Sequence, residues 1–186
     1  MAVKHYDFII KGDEDKLCAY LNGYLRGKGV KSGFIFTSEH PVKTHHLKEL
    51  IQYHGEVVHL ICRSSLRPII RAAINQSPPE HEWEIVDSRP VKKAMFDFNF
   101  NTANRQAAGA IKRILGRHPA GVRLVEYEPK ESFNPEAKGS EGYAPLHEYE
   151  FQGKGTIVGD VEGVLKVYDK LKANEFIHSD DIEIGY

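Results

Sequence analysis

Cysteine is nearly missing from this chain: of 186 residues only Cys18 and Cys62 are cysteine, one inside a helix-periodic stretch and one ending a strand-like stretch. Two residues so placed exclude a disulfide framework as the source of stability. Long apolar runs are missing too. No stretch approaches the roughly 18 apolar residues that a spanning helix needs, and the opening MAVKHYDFII has no apolar core followed by a small-residue cleavage site. The expectation is a soluble, cytoplasmic protein that does not engage a membrane. An excess of charge is also lacking. Lys and Arg number 25 and Asp and Glu 26, a formal net charge of -1, so no global field points to nucleic acid or another polyanion as partner.

What the chain does have is a 41% hydrophobic content and an internal echo. Tyr6-Asp7-Phe8 is answered by Phe96-Asp97-Phe98, Gly29-Val30 by Gly121-Val122, and the apolar triplet Leu66, Ile69, Ile70 by Val161, Val164, Leu165. The offset lengthens slowly along the chain, as it does when loops grow while two copies of one unit keep their order. Two halves sharing a core fit this length.

Within each half the hydrophobic period switches between 2 and about 3.6 in the same order. In the first, Tyr6, Phe8 and Ile10 alternate as a strand, and Asp13 caps a helix carrying Leu17, Leu21, Tyr24 and Leu25. Strands over 33–38 and 56–62 follow, then a helix capped by Ser64 or Ser65 with Leu66, Ile69, Ile70, Ala73 and Ile74 on one face. Pro78-Pro79 stops it, and 83–86 closes the half. In the second, Phe96, Phe98 and Phe100 alternate with Asp97, Asn99 and Asn101, and Thr102 caps a helix bearing Ala107, Ile111, Ile114 and Leu115. Strands over 122–128 and 147–157, a helix capped by Asp160, and a strand over 182–184 complete it.

Strand, helix, strand, strand, helix, strand is the order of the ferredoxin-like βαββαβ unit. The expected fold is therefore α+β, a tandem duplication forming a pseudo-dimer, with units at 1–91 and 92–186 and a long mobile loop over 129–146. One alternative is open. Leu47, Leu50 and Ile51 fit a helix over 44–53, which could make the first half α/β with a parallel sheet.

Several constellations bear on chemistry. Five of the 10 histidines fall between His40 and His59, but their spacing does not converge on a metal, and His45 with Glu49 is the best pair available. Cys62 to Arg67 has one residue too few between thiol and guanidinium for the phosphate loop of cysteine phosphatases. An anion site at Ser64 and Ser65, backed by Arg63, Arg67 and Arg71, competes with a plain charged flank of the helix. The stretch from Gly153 to Asp160 misses both the GxGxxG and the P-loop pattern. The three phenylalanines of 96–100 read as core, which turns Asp97 to the open face of its sheet with Asp7 in the matching place. Paired near a pseudo-twofold axis, the two carboxylates could act as acid and base, with His147 as a further candidate; exposed strand residues are the competing and favoured reading.

No motif ties these residues to a particular family. The unit with its long loop resembles, at the level of fold alone, small ligand-sensing modules of the PII and ACT type, which implies a metabolite site in a cleft. The function expected is a regulatory module binding a small anionic metabolite or nucleotide between the units. Arg63, Ser64, Arg67, Tyr143 and Lys154 are its candidate contacts, and no cofactor is specified. The alternatives are a single-stranded RNA-binding protein, kept open by Lys112, Arg113, Arg117, His118 and Arg123, and an enzyme using Asp7, Asp97 or His147. Self-association through sheet faces or edges is compatible with either.

Overall fold

A computed structural model describes residues 4–37, 45–133 and 149–184, and for residues 45–47 the backbone alone. It is a mixed α+β protein with two antiparallel sheets and five α-helices among the described residues. No helix among them is long and apolar enough to cross a membrane.

The first half lays down β1 (His5–Lys11), and Asp13 then caps α1 (Glu14–Gly27) by accepting the Lys16 N–H at 3.0 Å. β2 (Phe34–Thr37), α2 (His45–His54) and β3 (Val57–Arg63) follow, then a 3-10 turn (Ser64–Leu66), α3 (Arg67–Asn75) and β4 (Glu84–Val91). The sheet runs β2-β3-β1-β4, with all its pairs antiparallel. The helix suggested by Leu47, Leu50 and Ile51 exists, but the parallel sheet does not. β2 and β3 are antiparallel neighbours, so α2 lengthens a hairpin connection and makes no crossover. Ser64 and Ser65 form the 3-10 turn, and α3 begins behind them without a side-chain cap.

In the second half β5 (Lys93–Thr102) alternates as expected, with Phe96, Phe98 and Phe100 buried and Asp97, Asn99 and Asn101 exposed. The cap of α4 (Arg105–Gly116) is Asn104, which accepts from Gln106 and Ala107, and not Thr102. Thr102 is buried; its hydroxyl takes the Asn104 N–H at 3.0 Å and donates to Asp181 at 2.5 Å. β6 (Val122–Val125), β7 (Lys130–Phe133), β8 (Tyr149–Asp160), α5 (Val161–Ala173) and β9 (Ile182–Ile184) complete the order β6-β8-β5-β9, with β7 also pairing β8. The segment expected as a loop over 129–146 therefore starts as a strand, and its remainder from 134 lies outside the described residues. Asp160 precedes α5, but its carboxylate goes to Lys93 at 2.9 Å and caps nothing.

Two apolar clusters form the interior. One gathers Phe8, Leu17, Leu21, Leu60 and Ile70 between the first sheet and helices α1 and α3. Cys18 and Cys62 are both buried there as free thiols, and burial pushes each up to about 12. The other gathers Phe96, Phe98, Ile111, Val164 and Leu165 and takes in Ile35 of β2 and Ile61 of β3. The helix-free face of the first sheet thus adds to the core of the second half, whereas the helix-free face of the second sheet meets solvent.

Candidate functional site

β1 lies in the middle of the first sheet, so its alternate residues face the helices or the opposite side. Phe8 and Ile10 sit in the cluster under the helices, and Asp7 falls on the other face with no exposure at all. Its strand neighbours there are Arg89 of β4 and, diagonally, His59 of β3, which is 1% exposed. His59 Nδ1 lies 2.9 and 3.0 Å from the two Asp7 oxygens, and Arg89 donates Nε and Nη2 to Asp7 Oδ2 at 3.3 Å each. A carboxylate only accepts, so Nδ1 carries the proton between them and the tautomer and tilt of the ring are fixed. Burial of the three groups is tolerable because each answers another.

Asp7 is thus not the exposed strand residue that its alternation suggested. Asp97 is exposed, on the solvent face of β5, and accepts the Thr156 hydroxyl at 2.6 Å. The two carboxylates share no pocket. His147 and Tyr143 lie outside the described residues, as does the side chain of His45; Glu49 is exposed on α2. Among the described residues no group of three His, Cys, Asp or Glu side chains is placed to hold a metal ion.

Arg63, Ser64 and Arg67 are brought to one end of the first sheet, where each has a partner, although the Nε of both arginines is buried without a hydrogen bond among the described residues. The Ser64 N–H, which an anion would use, donates to the Lys4 carbonyl at 2.8 Å. The Arg67 guanidinium stacks on Tyr6, 4.1 Å from the ring centre. Arg63 Nη2 bonds Glu162 of α5 at 3.2 Å. Lys154 pairs in register with Asn99 and so shares the open face of the second sheet, with that sheet between it and α5. Buried beside this turn, the Cys62 thiol is too basic to serve as a nucleophile.

α5 joins the two halves of the chain. Val161, Val164, Leu165, Tyr168 and Leu171 face its own core, while Glu162, Asp169 and Lys172 form a polar stripe toward the first half. At its N-terminal end Glu162 takes Arg63, and its Oε2 stands 3.2 Å from His5 Nε2. That is ion-pair distance, but the two atoms are misaligned for a hydrogen bond and neither has one among the described residues. Burial holds His5 below the usual histidine pKa; Glu162 opposes this and Arg63 adds to it. Asp169 accepts the Gly33 N–H at 3.4 Å, and burial pushes its carboxyl up.

At the C-terminal end of α5 a cleft of about 650 Å³ opens between the halves. Asp15 and Arg26 of α1 line one side; Leu171 and Lys172 of α5, His178, and Glu183 of β9 line the other. Arg26 and Lys172 have no carboxylate within ion-pair distance among the described residues. Lys172 is exposed as a residue and its ammonium lies 5.6 Å from the centre of the Tyr168 ring; the protein packed around it, and after that the Arg26 guanidinium, hold its pKa below the usual lysine value. A second hollow of about 600 Å³ runs along α2, beside a Tyr53 that is 85% exposed, and α2 alone supplies its described wall. The cleft residues carry no motif, and only their meeting across 146 positions of sequence marks them out.

No family model matches the chain, and no curated protein matches it. Among solved structures it is similar to an unknown protein from Galdieria sulphuraria, at 12% identity over 98% of this chain and 97% of that one, with a TM-score of 0.34.

Proposed function

We propose that the chain is a regulatory, small-molecule-binding module built from two ferredoxin-like units, 1–91 and 92–186, that holds an anionic metabolite or nucleotide between them. The observation that carries this reading is the cleft at Arg26 and Lys172, with walls drawn from both halves of the chain. Its size is within the range of small-molecule sites. The duplication is supported by strand order: counted within its own half and setting β7 aside, each sheet runs second, third, first, fourth.

The test is a thermal-shift panel of nucleotides, sugar phosphates, dicarboxylates and amino acids at millimolar concentration. At least one compound is expected to raise the melting temperature in proportion to the logarithm of its concentration. A flat response across the panel would overturn the reading.

A second reading, an enzyme using Asp7, is favoured by one observation, the His59 ring held by its carboxylate. Diethyl pyrocarbonate distinguishes the two. Modification of His59 faster than global unfolding means that the imidazole is reachable; protection until unfolding leaves it a structural group. Single-stranded RNA draws less support, because the Phe96, Phe98 and Phe100 rings that could stack on bases are core.

A further inference from the structure

We infer that Arg26 and Lys172 form a two-sided clamp for an oxyanion group, phosphate or carboxylate, of the ligand in the cleft; this rests on the reading proposed above. Three observations converge on it. The two cations come from different halves of the chain, one on α1 and one on α5, yet line one cleft. Neither has a carboxylate at ion-pair distance among the described residues. The protein packed around Lys172, and after it the Arg26 guanidinium, disfavours the charged form of that lysine.

Each cation also stands near the last turn of its helix, where the carbonyl end favours positive charge. That accounts for one cation on each helix. It does not account for two that line one cleft with no carboxylate at ion-pair distance among the described residues, where Lys172 has only the Tyr168 ring, 5.6 Å away, for its ammonium. An oxyanion between them would take a guanidinium fork on one side and a point charge on the other. The acidic lining does not fill this role. Asp15 lies on the same stripe of α1 as Arg26 but three turns away, about 16 Å along the axis, and Glu183, in register with Asn99, belongs to the open face of the second sheet. The cleft is therefore polarised, with its anion-attracting end at Arg26 and Lys172.

Inorganic phosphate and malonate are the probes, titrated by calorimetry and by thermal shift at constant ionic strength, against the full chain and its Arg26→Gln, Lys172→Gln and Lys154→Gln variants. One or both probes are expected to bind the parent chain, and the one that binds better identifies the source of the oxyanion. Arg26→Gln and Lys172→Gln should each weaken binding by about tenfold or more, while Lys154→Gln, on the far face of the second sheet, should not change it. As a signature that a merely structural role would not give, the pKa of Lys172, followed by carbon NMR of the dimethylated chain, should rise on binding. Equal binding by the parent chain and both cleft variants places the anion elsewhere and overturns the clamp, as does absence of binding to a parent chain that is folded and no less stable than its variants. The wider reading falls separately. A neutral or cationic compound of the panel whose binding is lost on Asp15→Asn would keep the cleft as the ligand site without the clamp.

Discussion

Asp7 is the side chain on which a buried polar set turns. It is fully buried, it holds the His59 ring with both oxygens, and it receives Arg89. Removing one member of such a set leaves the others charged or polar and desolvated, which costs more than the set contributes when whole. Asp7→Ala is therefore expected to destabilise the chain by about 3–5 kcal/mol, read as a drop in the urea midpoint at an unchanged slope. A loss below 1 kcal/mol would mean that Arg89, which retains some exposure, simply turns out to water. Part of this was legible in sequence. The run Phe8-Ile9-Ile10 and the stretch from Val57 to Cys62 are apolar on both alternations, the mark of strands buried on both faces, whereas β5 alternates cleanly. A polar residue inside such a run, as His59 is, must have a partner. Which partner was not legible, because Asp7 is 52 residues from His59 and 82 from Arg89, and only the sheet order brings them together.

Among the elements, the period-based reading located every strand and helix it named, and it erred at their ends. Thr102 and Asn104 both have the chemistry of a cap, and choosing between them takes the fold. Thr102 ends β5 with its hydroxyl drawn to Asp181, so Asn104 is the residue left to meet the free amides of α4. Asn104→Ala should cost about 1 kcal/mol, while Thr102→Val should loosen the approach to β9 and speed hydrogen exchange at Ile182–Ile184. β7 escaped notice for a similar reason. Its residues alternate weakly and are exposed, and its register is set by β8, by Lys112 bonding Glu131, and by the Arg105 guanidinium over Phe133 and Tyr149. β8 adds a sharper constraint. A Cβ on Gly159 would land on the Gly121 carbonyl and 2.7 Å from Val122 Cα, both backbone atoms that cannot swing away. Gly159→Ala is expected to part β6 from β8 at a cost of about 1–3 kcal/mol. A melting temperature equal to the parent's would show that β6 shifts freely.

Taken as a whole molecule, the chain turns on α5, one end of which grips the first half through Glu162 while the other borders the cleft. The grip is expected to respond to protons. Groups facing one another there are His5, Arg63, Glu162, Lys166 and Asp169, contributed by β1, β3 and α5. Burial lowers the His5 pKa on folding from an ordinary value of 6.5. The unfolded chain then binds the proton more readily, so stability rises with pH across that window and is lost as pH falls from about 6.5 through the folded value. Asp169 acts the other way, since its raised carboxyl pKa gives a cost at neutral pH that disappears as acid protonates it, in a window beginning above 3.8. Between pH 7.5 and 5.5 the His5 effect is the one to be seen. The urea midpoint of the parent chain should fall relative to that of His5→Gln as pH is lowered through 6.5, because the variant has no proton to exclude. Glu162→Gln should deepen the fall, since it removes the carboxylate that favours the protonated ring and leaves Arg63 beside it. Parallel curves for parent and His5→Gln would mean that the ring reaches water at no cost, and the contact between α5 and the first sheet would then carry no proton linkage.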